Sequence, residues 1–274
     1  MNPGAPVPTA KVARHSAQTI VAVRYWTPSL LSFRTSRPSG FRFTPGHYAR
    51  LGLHDSNGGV VWRPLSVVSG ADEAQLEFLV VLVPGGDFST PLAHVRAGDS
   101  ILLENASYGF MTIQGFAPGE VLWLFASGTG IGPFLSILRD AATWRAYRQV
   151  VLVHSVRHAV ELAYRAEISA LRSALQSAAP PAVAAARLCY VPVVTREHCP
   201  DALGMRIPQS IENGSLERAA GLQLDLASAR IMVCGNPEMN RELRALLSAR
   251  GFRTNRRAAP GQLAFENYWA GKPA

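Results

Sequence analysis

A chain of 274 residues is long enough for two domains, each able to bury its own core. Its apolar fraction of 48% and charged fraction of 17% mark a globular protein, and no apolar run approaches the ~20 residues that span a bilayer. The net charge of +8 favours an acidic partner or a phosphorylated ligand, but the basic residues are scattered and carry no nucleic-acid motif.

Residues 1–16 lack a hydrophobic core and are expected to form a flexible N-terminus, not a signal peptide. From 17 to 115 the texture is short β runs separated by glycine, proline and asparagine, at 18–25, 30–35, 47–53, 62–69, 76–83 and 100–103. Strands this closely spaced predict an N-terminal antiparallel six-stranded β-barrel, with one short helix at 90–95. After a turn-rich connector at 114–120, strand and helix alternate. The apolar run VLWLFA (121–126) reads as a fully buried strand and leads into Gly128-Thr129-Gly130-Ile131-Gly132-Pro133. A helix is expected at 133–147, a strand at 150–154, a helix at 161–175, and strands at 188–194 and 231–234. Asn236-Pro237-Glu238 starts a further helix well, with a capping side chain, an early proline and an acid against the dipole; Gly251 ends it. The segment 120–274 is therefore predicted to be a doubly wound parallel α/β domain.

In such sheets ligands bind beyond the carboxyl ends of the strands. Those ends read Ser127-Gly128-Thr129-Gly130, Ser155-Val156-Arg157, Thr195-Arg196 and Cys234-Gly235, with Arg206 close behind. A strand, glycine turn and helix aim backbone N–H groups at an anion. A site for NAD usually has a carboxylate after the second strand, whereas arginine there suits a 2′-phosphate. Guanidinium groups bind phosphate by bidentate, charge-assisted hydrogen bonds, so NADP is favoured over NAD.

The three cysteines, Cys189, Cys199 and Cys234, form an odd set without C-x-x-C spacing. That argues against a disulfide framework, a structural zinc site or a four-cysteine iron–sulfur cluster, and no metal site is expected. Reduced cytoplasm is the simplest compartment.

Several signatures occur in one order along the chain. They are Arg63-Pro64-Leu65-Ser66, LEFLVVLVPGGDFS (76–89), the glycine turn 128–133, VHSVRHAVELAY (153–164), VTRE (194–197), RIP from Arg206, CGNPEM from Cys234 and FENYW (265–269). The ordered set resembles the bacterial ferredoxin/flavodoxin–NADP(+) reductases, which are FAD-containing enzymes, over residues 21–269. The resemblance implies a barrel that binds FAD (17–115) and an α/β domain that binds NADP (120–274) and ends in a flavin-stacking tail. It implies electron exchange between NADPH and ferredoxin or flavodoxin, in a monomer that needs neither nucleic acid nor membrane.

Residue by residue, Arg63 would meet the FAD pyrophosphate, with Pro64 and Leu65 beside it, and Ser66 would sit near the flavin N5. Leu79 and the loop Asp87-Phe88-Ser89 would line the flavin, and Tyr268 and Trp269 would stack on FAD. Thr129 would lie where the two cofactor sites meet. Val156, Arg157, Thr195, Arg196 and Arg206 would hold NADP, with Arg157, Arg196 and Arg206 chiefly at the 2′-phosphate. Cys234 and Glu266 would flank the nicotinamide–flavin contact and, with Ser66, form the catalytic set; Glu266 itself reads as part of a polar tail.

The chain departs from the family pattern in two places. Leu65 replaces the tyrosine of R-x-Y-S, which removes one aromatic stack and implies a more weakly held flavin. Residues 270–274 extend past Trp269, where the related subgroup stops. Two alternatives stay open at this point: an NADPH-dependent reductase of free flavins, quinones or other diffusible acceptors, and a non-catalytic sensor or electron-transfer subunit.

Overall fold

In the computed structural model, which describes residues 14–55, 58–177, 186–256 and 258–267, the six early β runs form one antiparallel sheet. They are β1 (His15–Thr27), β2 (Leu30–Ser36), β3 (Tyr48–His54), β4 (Val60–Ser66), β5 (Gln75–Val81) and β6 (Ser100–Tyr108), in the order β4-β3-β6-β1-β2-β5. A bridge between Val67 and Phe78 joins the two ends and closes the sheet into a barrel. Inward side chains such as Ile20, Phe33, Leu51, Phe78 and Ile101 fill it. The short helix is α1 (Ser89–Leu92).

The second half carries five parallel strands. They are β7 (Val121–Ser127), β8 (Gln149–Val156), β9 (Arg187–Val194), β10 (Ala229–Gly235) and β11 (Leu263–Asn267), ordered β11-β10-β7-β8-β9. The chain builds outward from β7 in one direction, then returns to place β10 on its other side, so the switch point lies between β7 and β10. β7 is apolar from Val121 to Ala126 because it is covered on both faces there. Leu122 and Leu124 pack with Phe134 and Leu135, while Trp123 and Phe125 pack with Ile211 and Leu243.

Four expectations change. The helix at 133–147 is two, α2 (Gly132–Leu138) and α3 (Ala141–Ala146). The Asp140 carboxylate accepts from Ala142 N–H at 3.0 Å and starts a new helix there. The helix expected from 161 begins later, as α4 (Arg165–Ser177). Glu161 instead accepts from the N–H groups of Arg157 and His158, at 2.9 and 3.2 Å, and Tyr164 takes a left-handed φ of 62°. Two helices too short to show a periodicity, α5 (Ile207–Glu212) and α6 (Ser215–Ala220), precede the expected α7 (Pro237–Ala249). Finally, Glu266 lies not in a polar tail but on β11, in register with Cys234.

The two halves share a core. Leu30, Val68, Leu79 and Met111 from the barrel pack in one cluster with Leu135, Ile137 and Tyr164. Polar ties cross the same seam: Ser136 Oγ donates to the Ser69 carbonyl at 2.8 Å, and Arg139 Nη1 to Glu77 Oε2 at 3.2 Å.

Candidate functional site

A cleft of about 650 Å³ opens at the carboxyl end of the parallel sheet. Thr129, Val156, Arg157, Thr195, Arg196 and Arg206, the six residues expected at a dinucleotide, all line it. Parallel pairing of β8 with β9 explains two of the arginines. Val156 sits opposite Val194, the next residues continue the ladder, and Arg196 N–H donates to the Arg157 carbonyl at 2.9 Å. Arg206 precedes α5, and its Nη1 lies 3.1 Å from Glu242 Oε1 on α7. Among the described residues the Arg157 and Arg196 guanidinium groups make no ion pair. Glu161, the nearest acid after β8, also lines the cleft, but its Oε2 is committed to the N–H groups of Arg157 and His158.

The glycine turn is held from below. Gly128 has φ +53° and its carbonyl accepts from His154 Nε2 at 3.0 Å. Because a carbonyl only accepts, Nε2 carries the ring proton and Nδ1 is an acceptor, buried without a partner. Burial pushes the His154 pKa down to about 4, so the ring is neutral. Two glycines permit the turn to interlock with the end of β10. A Cβ at Gly130 would collide with the Cys234 carbonyl, and one at Gly235 with Ser127. Ser127 Oγ then accepts from Asn236 N–H at 2.8 Å, and Asn236 caps α7.

Cys234 and Glu266 lie side by side on β10 and β11. Cys234 is fully buried; burial, then the neighbouring Glu266, pushes its thiol well up. Burial raises the Glu266 carboxyl to about 7, and its Oε2 is buried without a hydrogen-bond partner. Asn240 Nδ2 holds the Glu266 carbonyl at 2.8 Å.

The residues expected at FAD lie on the barrel. Arg63 is exposed on β4, donates to the Trp62 carbonyl at 2.9 Å, and makes no ion pair among the described residues. Ser66 is buried at the end of β4, opposite Tyr48, which in turn faces Tyr108 with ring centroids 5.7 Å apart. β4 is a terminal strand in the sheet order and pairs with β3; the barrel closes beyond its end, at Val67, so the other edge of β4 beside Arg63 carries no ladder among the described residues. Pro64, which has no N–H to leave unsatisfied, fits such an edge. Leu65, Leu79 and Phe88 are instead packed into the protein, Leu65 and Phe88 in the barrel core and Leu79 in the core shared by the halves. Asp87 is exposed ahead of α1, and Ser89 Oγ accepts from Val83 N–H at 3.0 Å. Tyr268 and Trp269 lie outside the described residues.

Three features of the cleft escaped the sequence. His154 reads as an ordinary strand residue, although a histidine within VVLVHSV is a polar side chain in an apolar run. Glu242 gave no signal, because its partner Arg206 is 36 positions away. The barrel hairpin also contributes a wall, through Thr27, Ser29 and Leu30, which only the docking of the halves reveals. Among the described residues no helix is long and apolar enough to cross a membrane.

Comparison with known proteins follows the same division. Residues 25–110 match the oxidoreductase FAD-binding domain and residues 124–245 the oxidoreductase NAD-binding domain. The flavodoxin/ferredoxin–NADP reductase of Rhodobacter capsulatus is 33% identical over 276 residues, covering 99% of this chain and 99% of that one. Its counterpart from Escherichia coli is 34% identical, covering 91% of this chain and 97% of that protein. The crystal structure of a ferredoxin NADP+ reductase from Neisseria gonorrhoeae with bound FAD and NADP is 35% identical. It superposes with a TM-score of 0.86, over 94% of this chain and 100% of that one.

Proposed function

Because the chain belongs to the flavodoxin/ferredoxin–NADP reductase family, we propose that the cleft takes NADPH by its 2′-phosphate and delivers it to an FAD held along β4. The protein is an FAD-dependent oxidoreductase that exchanges electrons between NADPH and ferredoxin or flavodoxin. The observation that carries the cofactor assignment is the convergence of Arg157, Arg196 and Arg206 on one cleft, where the Oε2 of Glu161, the acid nearest the end of β8, is bound to backbone N–H groups.

The residues present fit both groups. Three guanidinium groups suit a phosphate dianion, and the unpaired Arg63 beside an open strand edge suits a pyrophosphate. The chemistry that FAD supplies when bound is the conversion of a hydride from NADPH into single-electron transfers to the carrier. The chain's part is binding, orientation and protonation. Arg157, Arg196 and Arg206 would anchor the adenosine end, with Val156 and Thr195 beside them, and Thr129 would sit at the junction with the flavin. Arg63, Pro64 and the 87–89 loop would hold FAD, and Leu65, Leu79 and Phe88 would shape its site from behind. Ser66 would hydrogen-bond near the flavin N5. Cys234 would pack at the hydride-transfer contact, and Glu266, with a pKa near neutrality, would hold a proton beside it. Tyr268 and Trp269 are proposed to stack on FAD.

The segment 17–115 is proposed as the FAD domain and 120–274 as the NADP domain, in a cytoplasmic monomer that uses neither nucleic acid nor membrane. The net charge of +8 would steer an acidic carrier towards it. The experiment is an anaerobic titration of the purified yellow protein with NADPH and with NADH, followed by turnover with ferredoxin, flavodoxin and free flavin across ionic strengths. Reduction preferring NADPH, and carrier reduction that slows with salt, is the expected outcome. A colourless protein, preference for NADH, or faster turnover with free flavin would overturn the proposal.

A further inference from the structure

The ion pair inside the dinucleotide cleft has a consequence for selectivity. α7 presents Glu238 and Met239, and Glu242 one turn further on, to the cleft. Glu242 Oε1 lies 3.1 Å from Arg206 Nη1. The two side chains are 33% and 49% exposed, and a pair this open to water contributes little to stability. Arg157 and Arg196, tied to each other through their backbones, have no such acid among the described residues.

We propose that Glu242 is a specificity-determining counter-charge, which limits how tightly the cleft holds a 2′-phosphate and thereby sets the margin of NADPH over NADH. The proposal rests on the assignment of Arg157, Arg196 and Arg206 to the 2′-phosphate. An arriving dianion competes with the Glu242 carboxylate for Arg206. Whether the carboxylate is displaced or stays, like charges then lie within a few ångströms, a repulsion that water only partly screens. A nucleotide without the 2′-phosphate meets no such competition. Glu242 therefore acts on one class of dinucleotide only, and weaker retention of the oxidised form speeds its release.

The test uses the FAD-loaded protein, with 2′,5′-ADP and 5′-AMP as probes and binding read by calorimetry. Glu242→Gln keeps the size of the side chain and removes its charge. It should tighten 2′,5′-ADP by roughly three- to tenfold, less so at high salt, and change 5′-AMP by under about twofold. Glu242→Ala, as a second variant, should shift binding in the same direction. If the wild type prefers 2′,5′-ADP but both variants bind it equally or more weakly, Glu242 is a positioner of Arg206 and the proposal falls. If the wild type shows no preference between the probes, the 2′-phosphate assignment itself fails and takes the proposal with it.

Discussion

The Tyr164 hydroxyl donates to Glu77 Oε1 at 2.9 Å and so ties the parallel-sheet half of the chain to a carboxylate that is only 5% exposed on the barrel. The same carboxylate meets Arg139 at 3.2 Å and Arg34 at 3.5 Å. Tyr164 reaches it from a left-handed backbone conformation and packs its ring on Trp26, with centroids 4.6 Å apart. Such a conformation is unfavourable for a bulky side chain, so surrounding contacts must hold it in place.

Removing that hydroxyl is the first prediction. Tyr164→Phe leaves a buried carboxylate oxygen short of a donor and should cost about 1–3 kcal/mol in urea unfolding. Arg139→Met removes a charge partner and should cost more, about 3–5 kcal/mol. Equal stability of both variants with the wild type would mean that the seam is held by its apolar core alone.

Glu266 and His154 give the second prediction, through pH. Glu266 has a folded pKa of about 7, above its ordinary 4.5, so the folded state binds its proton more tightly than the unfolded one. Stability attributable to Glu266 is therefore full below 4.5 and declines as pH rises towards 7. His154 is shifted the other way, to about 4 from 6.5. Its contribution is full above 6.5 and declines as pH falls towards 4. The two slopes oppose each other over a shared window, so they largely cancel in the wild type. Glu266→Gln should expose a stability that rises from pH 4.5 to 6.5, and His154→Gln one that falls, each on the order of 1–3 kcal/mol. Parallel stability curves for wild type and both variants would contradict the burial of these groups.

The third prediction separates position from packing at His154. His154→Leu deletes the donor to the Gly128 carbonyl beneath the glycine turn. It should raise KM for NADPH roughly tenfold with a smaller fall in kcat, the equivalent of about 1.4 kcal/mol. His154→Gln, whose amide can donate, should recover part of the loss. Identical KM values for the two variants would deny the hydrogen bond any part in nucleotide binding.

The arginines give the fourth. Arg157→Ala and Arg196→Ala should each raise KM for NADPH roughly 10- to 100-fold, as expected for a lost charge-assisted hydrogen bond to phosphate. KM for NADH should change little. A comparable loss with NADH would place these residues at a part of the dinucleotide common to both.

What could be read from the chain depended on distance along it. VLWLFA announced a strand buried on both faces because burial writes itself into consecutive residues, and the strand-end arginines followed once the sheet was assumed parallel. Asn236 announced its helix because a cap acts within three positions. The break at Asp140 uses the same chemistry but is hidden in the sequence, since apolar spacing continues across it. β11 was obscured by its short length and by Glu266, whose carboxyl is tolerated there near neutrality with a raised pKa. The Arg206–Glu242 pair and the Glu77 network join residues far apart in the chain, and no local pattern records them.

β11 also sets an order of events. Of the strands described it is the last to leave the ribosome, and it takes the outer edge of the sheet beside β10. Until it docks, β10 shows a bare row of N–H and C=O groups, the kind of edge on which chains aggregate. The arginines of the cleft, by contrast, belong to segments already synthesised. In a nascent chain Glu266 would thus arrive opposite Cys234 only after every other described strand of the sheet has been synthesised.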